Sequence, residues 1–228
     1  MPKISDFFHY LRVFLLLSTL GGVLLFVAGG FFAEPQKVVL SSGTILDEAK
    51  LTPTPPHPQE VGDTLTPALL YTLDASDTEE WVYFDFSRGS VVKGAAWDSL
   101  EWDLAFKRAK ILTNSGRTHE KGGGGALALG SEEFDLVDSA PEGGAFEIDH
   151  RPYNKMENEN GALHKWYKYN YINHRLEPKP QVYILKTADG KFAKIRILSY
   201  YCQGEKAGCY SFRYVYQGNG SRGFSSRQ

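Results

Sequence analysis

Cys202 and Cys209 are the only cysteines of the chain and are separated by six intervening residues in SYYCQGEKAGCYSF. Outside the cytoplasm such a pair oxidises to a disulfide. Gly204 and Gly208 between them predict a turn whose flanking strands carry the two sulfurs across a hairpin end. Closing so short a loop stabilises the fold by on the order of 2.5 kcal/mol through the entropy of the unfolded chain. A metal site would need further ligands at matching spacing; none are adjacent, and no metal is expected.

Other residue sets are weaker as chemistry. Lys121 followed by Gly122 to Gly125 looks like a phosphate cradle, but a phosphate-binding loop carries its Lys after the glycines and opens a helix. Here Ala126-Leu127-Ala128-Leu129 follows, so the run predicts a flexible turn between strands. Serines, aspartates and histidines show neither a nucleophile elbow nor zinc-protease spacing. Asp85, Asp98 and Asp103 are expected as hydrogen-bonding groups at strand ends, and no catalytic residue is expected. Four histidines, His119, His150, His164 and His174, remain; imidazole ligates transition metals and haem iron. No two are closely spaced, so spacing alone selects no ligand set.

The elements that would position these residues are β-strands. Trp81 to Ser87 (WVYFDFS) alternates in the period of a half-buried strand, Ser90 to Lys93 continues it, and Trp102 to Thr113 predicts a second long strand ending at the turn Asn114 to Gly116. QVYILKTADGKFAKIRILSYY predicts a hairpin turning at Ala188-Asp189-Gly190. In CYSFRYVYQ, Phe212, Tyr214 and Tyr216 share one face while Ser211, Arg213 and Val215 share the other. His150 to Asn173 is the most aromatic stretch, with Trp166, Tyr167, Tyr169 and Tyr171 among charged and amide residues. It predicts an edge strand or a surface excursion, a mixture suited to an interface. Aromatic residues make up 14% of the chain, with Tyr 13 and Phe 14 against Met 2, which favours an antiparallel β-sheet or sandwich over a helical bundle. A net charge of -2 gives no basic excess, so nucleic acid is not an expected partner.

Ahead of this domain, Val13 to Ala33 runs VFLLLSTLGGVLLFVAGGFFA without a charge. As a helix it would reach roughly 30 Å, the hydrocarbon thickness of a bilayer. It exceeds the roughly 7–15 apolar residues of a secretory signal. Phe31 sits where a cleavage site wants a small residue, although Ala28-Gly29-Gly30 is tolerable, and no cysteine near its exit invites lipidation. A retained single-pass helix is the expectation. Lys3 and Arg12 precede it, placing residues 1–12 in the cytoplasm and the domain outside, in the periplasm if the membrane is a bacterial inner membrane. Ser18 and Gly22, like Gly29 and Ala33, have the small-residue spacing that admits a neighbouring helix. Residues 34–70 form a proline-rich spacer or strap with Pro53, Pro55, Pro56, Pro58 and Pro67. The domain is expected over 71–222, with a tail at 223–228.

Trp102 to Gly125 (WDLAFKRAKILTNSG and its glycine-rich sequel), Val182 to Tyr201 and Tyr210 to Ser221 (YSFRYVYQGNGS) resemble the HmuY family. The likeness spans roughly residues 80–222 and leaves out the helix and spacer. It implies a mostly β fold outside the cytoplasm and, in founding members, haem held between two axial histidines. Those members are secreted or lipid-anchored, and their histidines do not map residue by residue here; His119 and His174 lie nearest the matching runs.

Two functions follow as expectations. The first is a non-catalytic, single-span accessory subunit of a photosynthetic or respiratory membrane complex, its helix packing on integral membrane subunits and its aromatic β domain capping the outer face. The alternative is a membrane-tethered protein that captures or relays haem.

Overall fold

The computed structural model describes residues 53–54, 64–130 and 132–225, together with Leu15, Leu16 and Ser18. The chain divides into two compact units, Val38–Lys168 with Leu176–Gln228, and Met1–Lys37 with Tyr169–Arg175. Among the described residues no helix is long and apolar enough to cross a membrane. The run Val13 to Ala33 lies outside the described residues except for Leu15, Leu16 and Ser18, so Gly22, Gly29 and Ala33 fall there too. Most of the proline-rich segment does as well.

The fold is mostly β. Strands β1 (Leu69–Asp74), β6 (Gly125–Ala128), β9 (Tyr183–Lys186), β10 (Phe192–Tyr201) and β11 (Ala207–Gln217) form a five-stranded antiparallel sheet in the order β1-β11-β10-β9-β6. Strands β2 (Val82–Asp85), β3 (Ser90–Val92), β4 (Leu104–Lys107) and β5 (Lys110–Thr113) form a second sheet in the order β3-β2-β4-β5. β7 (Tyr167–Asn170) and β8 (Arg175–Pro178) pair with each other. Thr54 runs beside the edge strand β1: its N–H donates to Thr72 O at 2.7 Å, and its hydroxyl accepts from Thr72 N at 3.1 Å.

Alternation builds the core as expected from β11, where Tyr210, Phe212, Tyr214 and Tyr216 turn inward onto Phe84 and Phe106 of the smaller sheet and Phe86 just after β2. Phe84 meets Phe212 edge-on at 5.3 Å, and Phe106 stacks on Phe212 at 6.0 Å. Such pairs add about 0.5–1.5 kcal/mol each beyond area burial. Asp103 bridges the two sheets: its carboxylate accepts from Phe86 N and from Ala188 N, both at 2.8 Å.

Three sequence expectations need correction. The single strand Trp102 to Thr113 is two strands of a tight hairpin, because Arg108 turns at φ 51 and donates from its N–H to Ala75 O at 2.8 Å. The glycine run is not a loose turn. A Cβ on Gly122 would stand 2.1 Å from Asn114 O, and one on Gly124 2.7 Å from it, so close backbone packing requires glycine there. Trp166 does not face a partner: it is 1% exposed and packs against Tyr200 and Tyr210 at 5.4 and 5.2 Å.

Candidate functional site

The outer face of the smaller sheet carries a groove. Register aligns Tyr83 with Ala105, and Ala105 with Leu112; all three point away from the core, on the side of Trp102. A small residue between two large ones leaves a hollow, which Trp81, Trp97 and Trp102 wall with indole rings. The cavity measures about 440 Å³, and Thr118, Arg151, Met156, Glu157 and Asn158 complete its rim. Trp97 is 59% and Met156 90% exposed. A second hollow of about 430 Å³ shares Trp97 and Thr118 and is bordered by Arg117, His119 and Lys121. Leu112, Met156, Glu157 and Asn158 also border a third, of about 430 Å³, with Lys110, Lys155 and His164.

Two loops flank the groove, and one buried carboxylate ties them. Asp149 is 1% exposed and accepts from Thr113 Oγ1 and Thr118 Oγ1 at 2.7 Å each and from Asn160 Nδ2 at 3.0 Å. Its backbone O accepts from Arg117 N at 2.8 Å. Burial pushes its carboxyl above the ordinary range, and the hydroxyl and amide donors pull it back in part. Residues 116–121 and 150–159 are thereby fixed to the end of β5. The second loop closes on itself where His150 and Glu159 exchange backbone hydrogen bonds of 2.9 and 2.8 Å. Glu159 also pairs with Lys155 and lies 3.8 Å from His150 Nε2 and 3.5 Å from His164 Nδ1. Burial raises its carboxyl, but Lys155 and the two imidazoles outweigh that and leave it below its usual value.

Of the two histidines singled out from the sequence, His119 lies beside the groove. It is 7% exposed, and its Nδ1 stands 2.6 Å from Asn114 Oδ1. Asn114 spends both amide hydrogens on Ser99 O and Trp102 O, at 2.8 and 2.7 Å. Its Oδ1 is therefore an acceptor, the proton of neutral His119 sits on Nδ1, and Nε2 keeps its lone pair. The same Asn114 fixes the loop carrying Trp97, as does Trp102 Nε1 by donating to Ala96 O at 3.3 Å. His174 belongs to the other unit. It sits at φ 55 in the β7–β8 turn, exposed, with its Nδ1 2.7 Å from Tyr169 Oη.

Cys202 and Cys209 form the expected disulfide, with Cα atoms 4.9 Å apart, closing the turn Gln203–Glu205 between β10 and β11. Gly208 is required there by φ 119 and by Ser76, whose Cα would lie 2.4 Å from an added Cβ. Among the described residues the only three-ligand group is Asp74 with these two bonded sulfurs, which the disulfide already occupies. Met156 and Arg151, which border the groove, carry no signal in the sequence. Both belong to a loop without strand period, placed by the Asp149 network and by the ion pairs of Glu157 with Lys107 and Lys110.

The family model described as HmuY protein matches residues 77–214. Among solved structures, the apo HmuY analogue of Tannerella forsythia superposes with a TM-score of 0.55 at 22% identity, covering 66% of this chain and 96% of its own. A Bacteroides vulgatus protein described as HmuY-like and haem-binding gives a TM-score of 0.53 at 22% identity, covering 68% and 97%. A Bacteroides fragilis protein described as a lipoprotein gives 0.52 at 24%, covering 66% and 89%. No curated protein matches.

Proposed function

The chain belongs to the HmuY family, and from that membership we propose that its β domain is a non-catalytic haem-binding module outside the cytoplasm, tethered by Val13 to Ala33. One observation carries the reading: His119, whose Nε2 is left as a lone-pair donor by Asn114, stands beside an indole-walled groove. The residues fit a planar, largely apolar ligand with an acidic edge. Trp81 and Trp97 offer ring faces, and Arg117, Lys121 and Arg151 offer cations at the rim, beside the acids Asp98, Glu120 and Glu157.

Haem would supply an iron centre that accepts donor atoms from the protein. His119 Nε2 would be the first donor, and the thioether of Met156 would be the second, since imidazole and thioether are both established haem ligands. Asn114 orients the imidazole, and the Asp149 network holds the two loops at their spacing. His174, the other histidine expected from the sequence, serves as the comparison. The accessory-subunit reading draws no support from the fold or the likenesses, and haem capture or relay takes precedence over it.

Haem titrated into the purified full-length protein in detergent should give a saturable Soret shift. His119→Ala should abolish or reshape that spectrum, Met156→Ala should alter it, and His174→Ala should leave it unchanged. No Soret shift in the parent protein would overturn the reading.

A further inference from the structure

The β7–β8 turn presents exposed aromatic and aliphatic side chains. Tyr171 is 79%, Ile172 56% and Tyr169 41% exposed, on a two-stranded ribbon of a kind that is marginal alone in water. The tip is nevertheless ordered by its own bonds. Asn170 Oδ1 accepts from Ile172 N at 3.0 Å, Asn173 Oδ1 accepts from Arg175 N at 3.1 Å, and Tyr169 meets Tyr171 edge-on at 4.9 Å. Side chains thus take up backbone donors that a poorly hydrated interface would otherwise leave unpaired.

We propose that this tip is a lipid-contacting finger seated at the headgroup level of a bilayer that carries anionic phospholipid. Three observations select lipid as the occupant. Tyrosine rings, apolar with a polar end, favour the membrane–water boundary. In sequence the tip is flanked by Lys165, Lys168, Arg175 and Lys179 against the single acid Glu177, a composition that complements anionic headgroups. The tip also shares its compact unit with residues 1–37, which contain the uncharged run Val13 to Ala33. The inference rests on reading that run as the membrane tether.

Because the two cysteines are bonded to each other, single spin labels can be placed by cysteine substitution in the full-length protein. The label sites are Ile172→Cys, Leu16→Cys in the apolar run and Asn219→Cys in an exposed turn of the other unit. In nanodiscs of zwitterionic and anionic phospholipid, collision with oxygen should exceed collision with a water-soluble nickel complex at Ile172→Cys and Leu16→Cys. The ratio should reverse at Asn219→Cys. A water-type Ile172→Cys beside a lipid-type Leu16→Cys overturns the finger and leaves the tether standing; both sites water-type overturns both. A label at Ile172→Cys shielded from both reagents means that protein covers the tip, and this also overturns the proposal.

Discussion

Asn114 Oδ1 lies 2.6 Å from His119 Nδ1, while the same amide donates both hydrogens to Ser99 and Trp102 carbonyls. One side chain therefore sets the tautomer of the imidazole and the position of the Trp97 loop. Long-range proton–nitrogen NMR of the ligand-free protein should find Nε2 as the unprotonated nitrogen of the neutral imidazole. Asn114→Ala strands the buried Trp102 carbonyl and the buried His119 Nδ1, with the half-buried Ser99 carbonyl beside them, and should cost about 3 kcal/mol, since each unpaired buried group costs about 1–3 kcal/mol. A variant as stable as the parent would show that the amide does not hold these groups.

Asp149→Ala should release both loops at once. Thr113, Thr118 and Asn160 would lose their common acceptor, and breaking a buried network of this kind costs about 3–5 kcal/mol. In hydrogen exchange, residues 116–121 and 147–160 should lose protection ahead of β10 and β11. Haem affinity should fall even though His119 and Met156 are intact. Unchanged protection in those two segments would contradict the role given to Asp149.

How much of this was legible beforehand depended on whether local pattern or long-range contact decides. The alternation of Phe212, Tyr214 and Tyr216 set the face of β11, and Asp189-Gly190 marked the β9–β10 turn, because both signals are local. Arg108 gave no turn signal: its φ of 51 is imposed by Ala75 and by the pairing of Lys107 with Lys110. The four glycines suggested looseness because what they pack against, Asn114 for Gly122 and Gly124, Ala188 for Gly123 and Phe146 for Gly125, lies on other segments. His119 could be singled out by type, but its tautomer depends on bonds to residues 99 and 102. Met156 had no pattern to announce it.

Asp103 gives the fold a pH dependence of defined sign. Burial first, and then the neighbouring charge of Asp85, push its carboxyl from an ordinary 3.8 up to about 7, against the pull of the Phe86 and Ala188 amides. The folded state therefore holds a proton that the unfolded chain releases near pH 4. The associated stability is fully present below that value and is lost as pH rises toward 7. Urea midpoints of the parent, relative to those of Asp103→Asn, should fall between pH 4 and 7 and run parallel above. A difference independent of pH would show that the carboxyl is ionised throughout. The amide introduced by Asp103→Asn would also aim its hydrogens at one of the two backbone donors, so the variant should be weaker overall by about 1–3 kcal/mol.

Trp166 and Tyr171 sit five residues apart in one aromatic stretch, yet their environments are opposite. Trp166 is 1% exposed, donates from Nε1 to Ala109 O at 2.9 Å and touches Tyr200 and Tyr210. Tyr171 is 79% exposed. Trp166→Ala opens a cavity between the β4–β5 turn and the end of β10, and should destabilise by about 3–5 kcal/mol. Tyr171→Ser removes little buried area and should change stability by less than about 0.5 kcal/mol. Thermal melts of the two variants in detergent separate the roles: a large loss at Tyr171 would mean that the ring is packed within the fold, and would remove the exposed face on which the lipid contact depends.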